Sequence, residues 1–254
     1  MISNQFKLIK RRLGRDLIGR NPFDLAYYFC KGSGLEVGAR NNPYQFGNKC
    51  KVVYADIADE TVIENILQKG FKIGPALSRH GYAKVDYVLK GPKYGFEEIK
   101  NNFFDFVYSD NVLEHTPNPI FSLIEQLRIT KVGGFVYAVI PNKEYTFDCN
   151  REATSIDKLV AKYQTDIFNY SLEEALDIIR NTKDFPKSYM QGKTSLEFAK
   201  LMIEANDGEY HFHVFDIENT LAMLNFVCQI SDSSLHYFSG PKQKYIHFAI
   251  CKSL

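Results

Sequence analysis

Residues 34–43, with the sequence GLEVGARNNP, constrain the fold of this chain more than any other stretch. A short apolar run ends in Glu36, and Gly38 and a polar turn follow it. This order predicts a buried strand, a tight turn and a helix that Asn42 caps and Pro43 begins. Gly38 would let the backbone approach a ligand closely, and the helix N-terminus would offer free N–H groups to it.

A second predicted strand, residues 51–56 (KVVYAD), ends in an acid about twenty residues after the first strand. Two strands joined by a turn and a helix, the second ending in a carboxylate, are the layout of a nucleotide-binding βαβ unit. Asp56 is then placed to bind the two hydroxyls of a ribose.

The alternation of strands and helices continues beyond this unit. We predict strands over residues 82–89, 104–110 and 135–140, and helices over residues 61–68 and 120–129. This pattern predicts an α/β fold with a doubly wound, mostly parallel sheet and right-handed crossovers. Ligands of such sheets bind beyond the carboxyl ends of the strands. The polar residues expected at those ends are Arg40, Asp56, Asp110 and Asn142.

Residues 143–206 have a different pattern, that of short helices. Capping boxes are predicted at Ser171 with Glu174 and at Thr194 with Glu197. An insertion of this length between two strands predicts a helical lid over the mouth of the pocket.

The chain after the lid is predicted to return to the sheet. Asp216 would cap a helix ending near residue 225, and strands over residues 227–230 and 244–251 would form an antiparallel edge. The predicted parts are an N-terminal basic helical segment, a main domain in two pieces, and the lid. Their ranges are 1–30, then 31–142 with 207–254, and 143–206.

Residues 5–18 read as an amphipathic basic helix, and two interpretations of it stay open. The helix packs across the domain and exposes a charged face, or it contacts anionic lipid or a phosphorylated substrate carrier.

Composition excludes several classes of protein. The net charge of +1 over 254 residues gives no general case for a nucleic-acid partner. The five cysteines are scattered without a CxxC pair, which indicates neither a zinc knuckle nor a disulfide framework and favours a reduced, cytoplasmic setting. No apolar run approaches the ~18–20 residues of a membrane span, and the N-terminus lacks the apolar core of a signal peptide.

Four stretches together resemble the class I S-adenosylmethionine (SAM)-dependent methyltransferases. They are LEVGARNNP, VVYADI, FDFVYSDNVLEHTPNP and LRITKVGGFVYAVIPN, within residues 33–142. The resemblance implies a Rossmann-like sheet, SAM as cofactor and methyl transfer as the reaction. The first stretch carries one glycine where family members usually carry two or three. The cofactor-binding residues that the resemblance implies are Glu36, Gly38, Ala39, Arg40, Asp56, Ile57, Asp110 and Asn111.

A narrower resemblance concerns the acceptor. The stretches IPNKEYTFDCNREATSIDKL and HFHVFD resemble a subgroup associated with bacterial surface-polysaccharide and glycan assembly. This implies O-methylation of a sugar or glycan precursor, although Lys158 stands where the subgroup has a histidine. The acceptor residues that it implies are Tyr145, Asp148, Arg151, His211 and His213.

Methyl transfer to a hydroxyl is an in-line displacement that also needs a base, and histidine suits that task near neutral pH. His211 and His213 would face one way on an extended segment, with Phe212 on the opposite side. His115 is the rival candidate for the base. No residue is assigned to a metal, and the sequence leaves open whether a metal assists.

Three other interpretations stay open. A small-RNA 2′-O-methyltransferase carries a metal site in a Glu-x-x-Glu-His run, which residues 111–115 copy except at Asn111, with His211 or His213 to complete it. The low net charge disfavours RNA. A dinucleotide oxidoreductase would need a fuller Gly-x-Gly-x-x-Gly. A non-catalytic SAM-binding module would be consistent with the single glycine.

Overall fold

The structure is a computed structural model that describes residues 22–39, 42–57, 83–205, 208–239 and 243–253. Several sequence predictions lie outside these residues: the basic helix over residues 5–18, the helix over residues 61–68, and Arg40. Among the described helices, none is long and apolar enough to cross a membrane.

A seven-stranded mixed sheet forms the centre of the molecule, in the order β3-β2-β1-β4-β5-β7-β6. Strands β1 to β5 pair in parallel, and β6 and β7 are antiparallel at one edge. This confirms the predicted doubly wound, Rossmann-like class. The strands are β1 Ser33–Val37, β2 Lys51–Asp56, β3 Tyr87–Val88, β4 Phe104–Asp110, β5 Thr130–Pro141, β6 Ser233–Phe238 and β7 Tyr245–Lys252.

Helices cover the sheet and form the region after β5. They are α1 Pro22–Phe29, α2 Pro119–Ile129, α3 Ile156–Gln164, α4 Leu172–Asn181, α5 Ser195–Ala205 and α6 Ile217–Ile230. Helix α2 lies where the sequence predicts it. The side-chain oxygen of Asn118 accepts a hydrogen bond from the Phe121 amide, and Pro119 occupies the first turn, so the start of α2 is fixed locally.

The segment between β1 and β2 differs from the prediction, because described residues 42–50 form no helix. The Glu36 carboxylate accepts hydrogen bonds from the Tyr44 amide at 2.9 and 3.2 Å. The rings of Tyr44 and Phe46 pack against Tyr108 on β4, at centroid distances of 4.8 and 5.3 Å. An aromatic loop therefore covers this face of the sheet, and Asn42 and Pro43 begin no helix.

Residues 143–205 are helical, as predicted, and have an apolar cluster of their own. Both predicted capping boxes form: Ser171 and Glu174 exchange side-chain and backbone hydrogen bonds, and so do Thr194 and Glu197. Phe212, from the chain that follows, stacks on Tyr170 within that cluster at a centroid distance of 3.4 Å. The buried members of the cluster are Tyr170, Ala175, Ile178, Phe198, Ala199, Met202 and Phe212.

Two predicted strands need correction. Residues 227–230 belong to α6, because Val227 extends the buried helical stripe of Leu221 and Leu224, and β6 begins only at Ser233. The predicted strand over residues 82–89 is reduced to Tyr87–Val88 among the described residues.

Candidate active site

A pocket opens at the carboxyl ends of β1, β2 and β4, where ligands of such sheets bind. Gly38, Asp56 and Asn111, each at one of these strand ends, line it together. The space between its walls is about 750 Å³, open solvent at the mouth included. The other lining residues are Val37, Ile57, Leu89, Tyr94, Phe96, Val112, His115, Thr116, Ser122, Gly208 and Glu209.

Gly38 and Asp56 occupy positions with specific physical requirements. The φ of Gly38 is +73°, and a Cβ there would lie 2.6 Å from Cγ2 of Val112. A larger residue would therefore be strained and would move the wall of the pocket. Asp56 is only 4% exposed, and its Oδ1 accepts a hydrogen bond from the Ile57 amide at 2.8 Å. That bond fixes the carboxylate at the end of β2.

Glu36 and Asp110 lie beside the pocket rather than among its lining residues. Burial raises the pKa of Glu36 to about 8, although the hydrogen bond from Tyr44 opposes the shift. Burial also raises the pKa of Asp110 to about 6, against the hydrogen bond from the Tyr108 hydroxyl. Glu36 thus holds the loop after β1 in place, the structural role that such an acid can have at a strand end. Ala39, also predicted to bind the cofactor, is buried next to Gly38.

His115 and His211 pack against each other, and of the two only His115 is among the residues that line the pocket. Their rings pack edge to face with centroids 4.7 Å apart, and His115 itself lines the pocket. Nδ1 of His115 lies 3.1 Å from the Tyr210 carbonyl oxygen, and Nδ1 of His211 lies 2.7 Å from Oδ2 of Asp148. Because a carbonyl and a carboxylate accept the bond, each imidazole donates from Nδ1 and presents the lone pair of Nε2.

Arg151 holds Asp148 and His211 in place. Its Nη1 donates to Oδ1 of Asp148 at 2.8 Å and to the His211 carbonyl at 2.6 Å, while Nε donates to Asp177 at 2.7 Å. The side chain is 1% exposed. Arg151 and Asp148 were predicted to bind the acceptor, but the structure has them bonded to each other and to His211. These contacts position His211, and the role of Arg151 and Asp148 in acceptor binding stays a prediction.

His213 is not brought into the pocket. The Phe212 amide donates to the Tyr210 carbonyl at 3.1 Å, a tight turn that breaks the extended geometry assumed for residues 211 and 213. His213 is 1% exposed, and its Nε2 lies 3.3 Å from the Pro117 carbonyl. Burial, with the charge of Lys162, lowers its pKa to about 3. A buried imidazole outside the pocket is unsuited to take a proton from an acceptor, which corrects this prediction.

Several site residues were missed in the sequence. Tyr94 and Phe96 give the pocket an aromatic wall, but they come from a turn-rich stretch without a periodic signal. Glu209 also lines the pocket. It was missed because the interpretation of the residues that follow it concentrated on their two histidines. Phe147 packs on His211 at a centroid distance of 4.7 Å and is 48% exposed. Tyr145, predicted to bind the acceptor, is likewise exposed, at 47%.

Neither a protein-family model nor a curated protein matches the sequence. Solved structures resemble the fold. A SAM-dependent methyltransferase from Aquifex aeolicus is 14% identical over 98% of this chain and 97% of its own, with a TM-score of 0.44. One from Mesorhizobium loti is 10% identical over 90% and 95%, with a TM-score of 0.47. A protein from Rhodobacter sphaeroides, named as a proposed Zn-dependent alcohol dehydrogenase, is 13% identical over 92% and 89%, with a TM-score of 0.50. At 13% identity and a TM-score of 0.50, the last of these shows a likeness of fold and assigns no activity.

Proposed function

We propose that this protein is a SAM-dependent methyltransferase that methylates a hydroxyl of a small acceptor, a sugar or a glycan precursor. The observation that carries the proposal is one pocket, lined by Gly38, Asp56 and Asn111 at three strand ends and also by His115. The sequence resemblance described above supports the same class.

The pocket fits the parts of SAM. The Asp56 carboxylate at the end of β2 suits the ribose hydroxyl pair, since a carboxylate accepts a hydrogen bond from each hydroxyl. Ile57, Leu89 and Phe96 offer an apolar wall to the adenine ring. The absence of a side chain at Gly38 leaves space for close approach of the methionine end, where a Cβ would meet Val112. SAM, when bound, supplies an activated methyl group.

The protein would contribute position and proton removal. His115 lines the pocket and presents Nε2, so it can accept the proton of a hydroxyl bound there. His211, oriented by Asp148, lies against His115 and presents Nε2 to the same region. The exposed ring of Phe147 beside His211 suits the apolar face of a sugar ring, which supports the acceptor class.

Residues 143–206 would act as a lid over this site. The region has its own apolar cluster, and Asp148 and Arg151 connect its first turns to His211. Ordering of the lid around the acceptor would exclude water from the transfer.

Cofactor titration by calorimetry tests the proposal. We expect Asp56→Ala to weaken SAM and S-adenosylhomocysteine binding by about 1.5–3 kcal/mol, the value of hydrogen bonds to a charged group. Equal affinities of wild type and variant would refute the ribose assignment. An exposed strand-start change, Lys51→Ala, is the matched control on the same strand, and its affinity should equal that of wild type.

Turnover on hydroxyl-bearing acceptors tests the base. His115→Ala or His211→Ala should lower kcat by at least about 100-fold while leaving SAM affinity nearly unchanged. Near-normal turnover in both variants would show that the base is elsewhere. Binding of SAM without turnover on any hydroxyl acceptor would favour the non-catalytic interpretation.

A further inference from the structure

Glu114 is a buried acid next to the pocket residue His115. It lies in a 3₁₀ turn, Leu113–His115, just after β4, and its side chain is 0% exposed. Neither of its carboxylate oxygens accepts a hydrogen bond from another described residue. A buried carboxylate without a partner is unfavourable, because burial removes its hydration and no hydrogen bond replaces it.

The imidazole nitrogens nearest to the Glu114 carboxylate are not hydrogen-bond donors either. Oε1 of Glu114 lies 3.8 Å from Nε2 of His115 and 3.9 Å from Nε2 of His211. Both Nε2 atoms present lone pairs, because each ring donates from Nδ1 to Tyr210 or Asp148. Three acceptor atoms thus face one another, all within 4.8 Å.

Protonation of Glu114 does not resolve this arrangement. Burial raises the pKa of its carboxyl well above the usual range, and the charges of Asp110 and Asp148 add to the shift. A neutral carboxyl, however, would carry one proton to donate, and 3.8–3.9 Å to either imidazole is beyond hydrogen-bond length. Protonation of an imidazole would require it to donate across the same gap.

We propose that Glu114, His115 and His211 bind one divalent transition-metal cation, of the Zn²⁺, Co²⁺ or Mn²⁺ class. Two imidazole nitrogens and one carboxylate are a common ligand set for such cations and leave positions for water or substrate. With metal–ligand bonds of about 2.0–2.2 Å, the ligand atoms of a regular site lie about 3–3.5 Å apart, so Oε1 of Glu114 would approach each imidazole nitrogen by less than about 1 Å on binding.

The surroundings of the two histidines are those of metal ligands. A ligating histidine almost always donates its other ring N–H to a carboxylate or a backbone carbonyl, which fixes the tautomer. Asp148 does this for His211 and the Tyr210 carbonyl for His115. Arg151 in turn holds Asp148.

The site would connect two parts of the chain. Glu114 and His115 follow β4, whereas His211 follows the lid region. The two parts are far apart in the sequence: Tyr210, next to His211, is 95 residues from His115. A cation bound to all three would fasten the return from the lid to the sheet. Because His115 also lines the pocket, the cation would lie beside a bound acceptor and lower the pKa of its hydroxyl, and water would take the proton in place of the imidazoles.

Direct cation binding to the full chain, without cofactor or acceptor, tests this inference apart from the proposed function. We expect protein stripped with a chelator to bind one Co²⁺ or Zn²⁺ per chain by calorimetry and elemental analysis, with visible d–d absorption for Co²⁺ and a rise in Tm. His211→Gln and Glu114→Gln should weaken that binding by more than the about 10–100-fold typical of losing an outer partner. His236→Gln, on β6 and outside the cluster, should bind as wild type does.

Circular dichroism checks that the variants are folded. Glu114→Gln also keeps the volume of the side chain. Wild-type protein that binds SAM but none of Zn²⁺, Co²⁺ or Mn²⁺ would overturn the cation site and leave the proposed function standing. Cation binding that persists unchanged in folded Glu114→Gln and His211→Gln would overturn it as well, since the cysteines or the surface would then be the ligands.

Discussion

Replacing Arg151 with methionine tests whether this residue positions the site or binds the acceptor. Methionine keeps most of the volume and removes the guanidinium, whose Nη1 and Nε make the three hydrogen bonds to Asp148, His211 and Asp177. The Asp177 side chain is 31% exposed, so water can replace its lost bond. The Asp148 side chain is 3% exposed, so its carboxylate would remain buried and bound to His211 alone.

Breaking a buried ion pair by removing one partner typically costs about 3–5 kcal/mol. We expect Arg151→Met to lose that much of the free energy of unfolding at pH 7, measured by urea denaturation with an unchanged m-value. Burial alone would raise the pKa of Asp148, but His211 and Arg151 together hold it below its usual value. A lowered carboxyl pKa stabilises the fold above that usual value and loses this contribution as pH falls. The difference between variant and wild type should therefore shrink in acid.

Arg180→Met, at an exposed position of α4, is the matched control and should change stability by less than about 0.5 kcal/mol. Adding Asp148→Asn to Arg151→Met should recover part of the loss, because it removes the unpaired charge. A loss below about 1 kcal/mol for Arg151→Met, together with a raised KM for the acceptor, would refute the positioning role and restore the sequence-based assignment.

Two further predictions concern the loop after β1 and the lid. Glu36→Gln should flatten the dependence of the free energy of unfolding on pH. The fold raises the pKa of Glu36 from 4.5 to about 8, so the stability that its carboxyl contributes is fully present below pH 4.5. That contribution is lost as the pH rises through about 8. Urea denaturation at several pH values should show the effect, with an upper bound of about 5 kcal/mol; an unchanged slope would contradict the assignment. Amide hydrogen exchange should show residues 143–205 opening at lower free energy than the sheet, and ligand should raise their protection. Equal protection of lid and sheet without ligand would argue against a lid.

The sequence was most informative where local pattern and tertiary packing agree. Strand β4 is a run of apolar residues ending in an acid, and helix α2 has an N-cap and a first-turn proline, so both appear near their predicted bounds. The segment after β1 has the same local signals at Asn42 and Pro43 yet forms no helix. There, the Glu36 carboxylate and the packing of Tyr44 on Tyr108 decide the conformation, and neither partner is visible from helix-capping residues alone.

The candidate site shows the same limit at a longer range. Asp56 could be predicted because the end of a parallel strand fixes the position of its side chain, whatever the surrounding loops do. His211 and His213 depended on an assumed extended segment, and one backbone hydrogen bond, from Phe212 to Tyr210, separates them. The spacing of two residues predicted the same role for both histidines, but in the fold His211 packs on the pocket residue His115 and His213 is buried against the Pro117 carbonyl.

Glu114 carries this argument furthest. In the sequence, Glu114 and His115 match the end of a Glu-x-x-Glu-His run in which Asn111 replaces the first acid. The distance from Glu114 to His211 depends on where the chain returns to the sheet after residues 143–205, a path that the bonds of Arg151 to Asp148 and to the His211 carbonyl hold in place. A carboxylate buried among acceptor atoms is costly unless a cation compensates it. Glu114, which in the sequence belongs only to an incomplete motif, is therefore the residue whose environment points most directly to a ligand.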